Sequence, residues 1–257
     1  PITDSKFWST DRTLREFLMI DIEFNVFSDT PNGKDPDSFS PTLRNYHQKL
    51  WSKRLPNGTY FDLDLDTPRL LHHQSELGEF FLSSDAIGHT YKGVKKMSHI
   101  VDKLPNEDLD IFFNLCSTIG GFIIFPARRV QGKMTINGAR GTNHKIQDRF
   151  DLTLECIKRF YQGEESPLSE TFNRYSTFFE LFEDFEGYTK FFLLEDLVTD
   201  NFKEIKFWHP FSSFTDSPMP QDFAEYLEFK RCVETFITKR NHRITKFSSS
   251  LTNENKR

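Results

Sequence analysis

Apolar residues recur at helical spacing along most of the second half of the chain. Between Gln147 and Gln162, Phe150, Leu154, Ile157 and Tyr161 return every three or four residues, the pattern of one buried helix face. Gly163 follows and favours the end of that helix. Similar spacing of apolar residues, bounded by capping and turn residues, predicts further helices. Their ranges are Thr42–Trp51, Pro105–Thr118, Ser166–Phe182, Tyr188–Val198 and Gln221–Lys239.

The first half mixes helical spacing with the two-residue alternation typical of strands. Tyr60–Asp66 alternates strictly, Ile22–Phe27 does so more weakly, and Gly121–Phe125 is a short apolar run typical of a buried strand. Arg69–His73 and Phe80–Leu82 fit either short strands or loops. We therefore predict an α+β fold, with a small antiparallel sheet in a mixed N-terminal half and a mostly helical C-terminal half.

Length and composition narrow the class of protein. We predict one domain over residues 1–247 and a polar, disordered tail over residues 248–257. The 29 phenylalanines indicate a large aromatic core. Three separate cysteines favour free thiols. The sequence contains no apolar run long enough to cross a membrane, and Pro1–Ile20 does not resemble a signal peptide, so we expect a cytoplasmic protein.

The charge distribution is uneven. The basic segment Arg128–Arg149 carries six lysines and arginines against one aspartate, a net charge of +5, so the rest of the chain carries −10 when the whole carries −5. Arginine forks suit phosphate, and three glycines let the backbone approach a ligand. The predicted ligand-binding residues, with Lys53 added from outside the segment, are Arg128, Arg129, Lys133, Arg140, Lys145 and Arg149.

A second interpretation of the basic segment remains open. A β-hairpin with a turn at Gln131-Gly132 would present solvated basic side chains that pair with surface acids. The segment contains neither a Gly-Lys-Ser/Thr phosphate loop nor the glycine fingerprint of dinucleotide-binding folds. Phosphate binding by the basic segment is therefore not supported by either of these established motifs.

Four residues are candidates for proton transfer. His47 and His144 can act as general bases near neutral pH, and His144 lies within the basic segment. Asp35 and Asp37 stand in a proline-rich stretch, Ser28–Pro41, that is predicted as a long loop. Two aspartates do not fill the coordination shell of a divalent ion, so no metal site is predicted, and the sequence names no cofactor.

Two stretches resemble a family of uncharacterised bacterial cytoplasmic proteins. They are Asp29–Gly58, which reads DTPNGKDPDSFSPTLRNYHQKLWSKRLPNG, and Ile136–Tyr161, which reads INGARGTNHKIQDRFDLTLECIKRFY. The likeness covers roughly residues 24–200 and implies no activity. It does suggest that the two stretches belong together, and we hypothesise that the Asp35 loop and the Arg140 loop face one cleft.

Three functions fit these observations. The first is an enzyme or binding protein for a nucleotide or nucleic acid, which rests on the basic segment. The second is a non-catalytic interaction protein that presents the aromatic residues Phe207, Trp208, Phe211 and Phe214 to a partner. The third is a small-molecule hydrolase or transferase built around His47, Lys53 and the acids, for which a deep pocket would be diagnostic.

Overall fold

The computed structural model describes residues 24–61, 63 and 71–254. Thr10 or Asp11 as a cap predicts a short helix over Thr10–Ile20, but this stretch and most of the strand predicted over Tyr60–Asp66 lie outside these residues. The strand prediction for Ile22–Phe27 is wrong where it can be compared, because residues 24–27 form coil and turn. Val26 is fully buried there and donates its N–H to the Ser117 carbonyl at 3.0 Å, so its apolar character serves packing.

Two capped helices follow. Asp35 caps α1 (Pro36–Phe39), and Ser40 caps α2 (Pro41–Trp51) by accepting the Leu43 N–H at 3.1 Å. Each helix has proline at its first position, where the missing N–H costs no intrahelical hydrogen bond. The prediction of α2 is confirmed. The stretch predicted as a long loop therefore ends in a helical turn, and Asp-Pro followed by Ser-Pro is the signal for both starts.

The sheet has three antiparallel strands in the order β1 (Leu71–Ser75), β2 (Gly78–Ala86) and β3 (Phe122–Pro126). The small antiparallel sheet of the prediction is thus confirmed. The pairing of β1 with β2 ends at Leu71 opposite Leu82, whereas β3 pairs with β2 from Leu82 to Ala86. Beyond Leu82, β2 therefore keeps one edge that β1 does not cover.

The basic segment does not form the predicted hairpin. Gln131 and Gly132 do adopt left-handed backbone angles, with φ of 54° and 70°, as the predicted turn requires. The chain then enters helix α5 (Ile136–Thr142), because the Thr135 side chain accepts the Gly138 N–H and caps it. The confirmed helix α6 (Phe150–Gln162) follows, and Gly163 ends it at a φ of 71°.

The remaining helices largely agree with the periodicity. They are α3 (Ser98–Val101), α4 (Asn106–Cys116), α7 (Ser169–Asn173), α8 (Ser176–Glu180), α9 (Phe185–Phe191) and α10 (Phe223–Glu254), with 3₁₀ turns at Ile119–Gly121 and Glu195–Leu197. The single helices predicted over Ser166–Phe182 and Tyr188–Val198 are wrong in their continuity. The first is interrupted at Arg174 and Tyr175, between α7 and α8. The second ends at Leu193, whose φ of 58° is a left-handed conformation that a helix cannot pass through. The helical path of α10 runs past Ser248.

The core is aromatic, as the phenylalanine content predicts. Trp51 of α2 is fully buried and contacts Phe61, Phe182, Phe191 and Phe192, with ring centroids between 4.5 and 6.1 Å from its own. These rings join α2 to the C-terminal helices. In the described part of the chain, no helix combines the length and apolar character that a membrane span needs.

Helix α10 is tied to the sheet by polar contacts as well. The fully buried Arg240 donates from Nη1 to the carbonyls of Gly120 and Phe122 at 2.8 and 2.6 Å, and from Nε to the Phe192 carbonyl at 3.1 Å. Next to it, Asn241 accepts the Gly120 N–H at 2.7 Å. One turn of α10 thus satisfies the backbone at the start of β3, which the local chain leaves unpaired.

Candidate functional site

Two arginines of the basic segment lie in the protein interior. Arg140 of α5 has no exposed surface; it forms an ion pair with Asp85, donates from Nε to Thr153 at 3.1 Å, and donates from Nη2 to the Asp148 carbonyl at 3.2 Å. The Asp85 carboxylate and the Asp148 backbone thus compete with any ligand for its donors. Arg140 therefore supports the structure around β2, and an incoming phosphate could reach it only by displacing these partners.

Arg149 is buried in the same way but at the entrance to α6. Its guanidinium forms a bidentate pair with the fully buried Asp151, at 3.1 Å from Nε and 2.5 Å from Nη2. Its remaining nitrogen, Nη1, donates to the Pro218 carbonyl at 2.8 Å. Arg149 thereby holds the loop at residues 217–221 against the start of α6.

The other four cations of the segment are exposed. Arg128 lies over the Phe81 ring at 3.0 Å and contacts Glu79 at 3.4 Å, and Lys133 pairs with Glu170 at 2.5 Å. Arg129 and Lys145 have no ion-pair or hydrogen-bond partner for their side chains among the described residues. The six predicted ligand-binding residues of the segment therefore do not converge on one point.

A groove with a volume of about 400 Å³ opens beside the C-terminal end of the basic segment, and we call it the basic groove. It lies between the start of α3, the turn that precedes α6, and the loop that Arg149 holds. Its polar and titratable lining residues are Lys96, His99, His144, Gln147, Ser217 and Gln221. Val94, Met97, Ile100 and Met219 provide apolar walls, and none of the described residues that line the groove is a carboxylate.

The positive and imidazole groups of the basic groove are unengaged. Lys96, His99 and His144 are exposed, and none has a side-chain hydrogen bond or ion pair in the described residues. Ser217 and Gln221, by contrast, bond to each other at 2.7 Å and shape the opposite wall. The groove thus combines a fixed wall with cationic and imidazole donors that remain free for a ligand.

A second polar cluster surrounds Ser84, where β2 runs beyond the end of β1. His47 of α2 places Nε2 2.7 Å from the Ser84 hydroxyl oxygen. The Asp37 carboxylate of α1 accepts the Ser84 N–H at 2.6 Å.

Burial controls the charge of the groups around Ser84. Loss of solvation raises the pKa of Asp37 to about 6, against the hydrogen bond from the Ser84 N–H that lowers it. Loss of solvation also lowers the pKa of His47 to about 3, and the nearby Arg240 and Arg44 lower it further. At neutral pH, His47 is therefore uncharged, whereas Asp37 is mostly ionised and close to its point of protonation.

The two stretches of the family resemblance meet at β2, although on neighbouring residues. Asp37 and His47 contact Ser84, and Arg140 pairs with the next residue, Asp85. Because successive strand residues point to opposite faces, the Asp37 and Arg140 regions approach β2 from different sides. Asn137, which precedes Arg140 in α5, donates from its side-chain amide to the Ser84 carbonyl at 3.4 Å.

The other predicted site residues lie apart from these clusters. Asp35 is exposed and caps α1. Lys53 donates to the Phe191 carbonyl at 2.5 Å and lies 4.6 and 4.7 Å from the centres of the Phe191 and Phe247 rings. Burial lowers the pKa of Lys53 to about 7. This lysine lines a separate groove of about 380 Å³ with Arg54 and Asp184, so it joins neither His47 nor His144.

Sequence reasoning missed Lys96, His99 and Ser84. The signal for Ser84 was the polar run Ser83-Ser84-Asp85 at the end of a strand, which apolar contacts alone do not explain. The lysine pair Lys95-Lys96 carried no comparable signal, because its relation to His144 depends on chain folding. Within the described residues, no group of three or more histidines, cysteines and acids is arranged to hold a metal ion.

The fold and these clusters define an α+β protein with a small antiparallel sheet, a basic groove and a buried polar cluster on the central strand. The chain belongs to a family of unknown function, DUF6994, whose model matches residues 20–244. The resemblance inferred from the two stretches is confirmed, and the match extends beyond both ends of the range expected. No curated protein and no solved structure is significantly similar to the chain.

Proposed function

We propose that the protein binds a small phosphate-bearing molecule, of the size of a nucleotide, in the basic groove. The observation that carries this proposal is the set of three unengaged side chains, Lys96, His99 and His144, in a concavity lined by no carboxylate of the part of the chain that the structure describes. Ammonium and imidazole groups donate hydrogen bonds to phosphate oxygens, and these bonds strengthen when the donor is charged. The proposed site includes His144 of the basic segment, together with Lys96 and His99 at the start of α3.

The dimensions favour a small ligand over nucleic acid. A volume of about 400 Å³ falls in the range of small-molecule sites, which run from about 300 to 1,000 Å³. A nucleic-acid surface would instead offer a row of free cations along a backbone. Of the four exposed cations of the basic segment, Arg128 and Lys133 are paired with acids, and the two without a partner among the described residues, Arg129 and Lys145, do not make such a row. Val94 and Met219 would contact its apolar part.

The aromatic residues proposed as a partner surface do not favour the interaction-protein alternative. Trp208 is buried and packs against Phe229 and Phe236, with centroid distances of 6.1 and 5.9 Å. Phe207, Phe211 and Phe214 are partly buried against the core. This segment is therefore occupied by contacts within its own chain.

The test is a calorimetric titration with adenosine monophosphate and, separately, with inorganic phosphate. We expect saturable binding of the nucleotide and weaker binding of phosphate alone. Lys96→Ala should weaken nucleotide binding about tenfold or more, because it removes a charge-assisted hydrogen bond of about 1.5–3 kcal/mol. Lys95→Ala is the matched control, since Lys95 is an exposed neighbour outside the groove lining, and it should change the affinity less than twofold.

Three results would count against the proposal. If neither adenosine monophosphate nor inorganic phosphate binds, the predicted ligand class is wrong. Equal weakening by Lys95→Ala and Lys96→Ala would show a general charge effect with no contribution from the groove. A labelled oligonucleotide that binds more tightly than the mononucleotide would favour a nucleic-acid surface instead.

A further inference from the structure

Lys53 is withdrawn from water without the ion pair that a lysine in such a place usually has. It follows α2 closely, is half-buried, and lines the groove of about 380 Å³ that it shares with Arg54 and Asp184. Its Nζ lies 4.6 and 4.7 Å from the centres of the Phe191 and Phe247 rings, which form an apolar surround. No carboxylate among the described residues forms an ion pair with it.

These surroundings make the Lys53 amine available as a nucleophile. Burial lowers the pKa of Lys53 to about 7; the negative charge of Glu195 opposes this effect, and the positive charge of Arg240 adds to it. A large share of the molecules therefore carries a neutral amine near neutral pH. Nζ donates one N–H to the Phe191 carbonyl at 2.5 Å, which orients the amine and leaves its lone pair free. Proteins use a desolvated lysine of this kind to attack carbonyl carbons.

A carboxylate near Lys53 has one oxygen without a partner. Glu195, in the 3₁₀ turn after α9, contacts Nη1 of Arg243 through Oε1 at 3.4 Å. Its Oε2 is buried and has no hydrogen-bond partner. Buried polar atoms of native proteins nearly always have a partner, so this oxygen points to a proton or donor that a reaction would supply. Glu195 acts on the charge of Lys53 without forming an ion pair with it, so the acid is near the amine but not consumed by it.

The same groove offers an unengaged guanidinium. Nε of Arg54 donates to the Gly58 carbonyl at 2.7 Å, which orients the side chain, while its terminal nitrogens have no partner in the described part of the chain. The two acids of the lining already have partners, since Asp184 caps α9 and Glu186 pairs with Lys190 at 2.5 Å. A fork of two N–H groups suits a carboxylate, so the groove places a carboxylate receptor next to a nucleophilic amine.

We propose that Lys53 is the nucleophile that forms an imine with a small 2-oxo acid, with Arg54 binding the carboxylate and Glu195 moving the protons. Lys53 and Arg54 are adjacent in the chain and line one groove, so the carbonyl and the carboxylate of the ligand must lie close together, as they do in a 2-oxo acid. A volume of about 380 Å³ suits a molecule of this size. This activity goes beyond ligand binding in the basic groove and shares no residue with it.

The reaction balances without an oxidant or a reductant. The Nζ lone pair forms a bond to the carbonyl carbon while one electron pair of the C=O double bond moves to oxygen. Glu195 takes one proton from the nitrogen and gives it to that oxygen, which completes a carbinolamine. The carbon–oxygen bond then breaks as the nitrogen lone pair forms the C=N double bond. Glu195 moves the second nitrogen proton to the departing oxygen, so one water leaves for each imine formed.

The test is trapping with pyruvate and sodium cyanoborohydride near neutral pH, followed by mass spectrometry of the peptides. Cyanoborohydride delivers hydride to the imine carbon and fixes the adduct as a secondary amine. We expect one adduct per chain, on Lys53, and its loss in Lys53→Met. Ordinary exposed lysines are almost entirely protonated near neutral pH, so they should react at least about tenfold more slowly.

Two further variants test the assigned roles. Arg54→Gln should slow the trapping of pyruvate at low concentration about tenfold, but should leave the trapping of acetaldehyde, which has no carboxylate, within about twofold. Glu195→Gln should slow the trapping of both compounds about a hundredfold, as loss of general acid–base catalysis predicts. Circular dichroism would establish that each variant is folded.

Lys49→Met is the matched control. Lys49 is half-buried in α2, four residues before Lys53, but it does not line the groove, so its loss should leave the trapping rate at Lys53 within about twofold. Adducts spread over the exposed lysines of the folded parent protein, with Lys53 no faster than the rest, overturn the proposal. Equal slowing of pyruvate and acetaldehyde by Arg54→Gln overturns the assignment of a 2-oxo acid. Since nucleotide binding is measured separately, either proposal can fail without the other.

Discussion

The interior and the basic groove use the same part of the chain in opposite ways. Arg140 and Arg149 are fully buried, and their donors are taken by carboxylates and carbonyls within the protein. His144 lies between them in sequence, yet its side chain stands in the groove without a partner among the described residues. A run of positive charge is therefore divided by the fold into structural anchors and groups that remain free for a ligand.

The division follows from side-chain chemistry. A guanidinium offers five donors in a planar fork, so an arginine can satisfy several carbonyls and a carboxylate together inside a protein. Lysine and histidine have fewer directed donors and remain more easily at the surface. The difference implies that substitutions in the interior should change stability strongly, whereas substitutions in the groove should change binding and leave stability nearly unchanged.

Arg149→Ala is expected to have the largest effect on stability. Removal of this side chain leaves the fully buried Asp151 carboxylate without its ion-pair partner, and breaking a buried pair in this way costs about 3–5 kcal/mol. Urea unfolding followed by circular dichroism measures the change. A loss below about 1 kcal/mol would contradict the assignment of Arg149 to the interior.

The same substitution should loosen the basic groove, because Arg149 holds the Pro218 carbonyl of its wall. Under conditions where the variant remains folded, we expect weaker nucleotide binding than in the parent protein. A variant that loses stability but retains full affinity would separate the two regions completely and would restrict Arg149 to a structural role.

The pH dependence of stability should expose a balance between Asp37 and His47. Asp37 has its folded pKa raised from 3.8 to about 6, so the folded state binds its proton more tightly and this contribution to stability falls as pH rises from about 4 to 6. His47 has its folded pKa lowered from 6.5 to about 3, so its contribution rises with pH over the same window. Each slope approaches about 1.4 kcal/mol per pH unit, and the two oppose each other.

Single variants should unmask each slope. Asp37→Asn leaves the contribution of His47, so the free energy of unfolding should rise between pH 4 and 6 more steeply than in the parent. His47→Gln leaves the contribution of Asp37 and should shift the slope in the opposite direction. Urea titrations at several pH values measure both. Parallel curves for the two variants and the parent would contradict the burial of these groups.

Lys145→Ala should have the smallest effect. Its side chain is exposed and has no ion-pair partner in the described residues, so the free energy of unfolding should stay within about 0.5 kcal/mol of the parent value. The same urea experiment compares it directly with Arg149→Ala, four residues away in the chain. A large loss of unfolding free energy in Lys145→Ala would contradict the expected difference between interior and surface positions.

The sequence was sufficient to predict the elements whose signals are local. Helix α6 has a regular apolar stripe and a glycine stop, and β3 is a short apolar run, so both were predicted close to their observed ranges. Helix α5 was not predicted, because its glycines favour turns and its single cap, Thr135, is easily overlooked. The break at Leu193 involves a residue type that rarely adopts left-handed angles, and local composition gives no warning of it.

The candidate site was less predictable for a different reason. Asp37, His47 and His144 were selected from their chemistry, but the partners that define their surroundings lie far away in sequence. Ser84 is 47 residues from Asp37, and Asp85 is 55 residues from Arg140. Charge counting therefore found the basic segment but could not distinguish an arginine that meets a ligand from one that meets an aspartate of the same chain.

The contacts of Arg240 and Asn241 with Gly120 and Phe122 also constrain when the protein can finish folding during its synthesis. The ribosome adds residues at about 5–20 per second, so about 120 residues take roughly 6–24 seconds to follow Gly120. Until α10 emerges, the backbone at the start of β3 lacks the donors and acceptor that complete it. The nascent chain must therefore carry an unfinished sheet for seconds, an interval in which chaperones would have access to its exposed edge and aromatic residues.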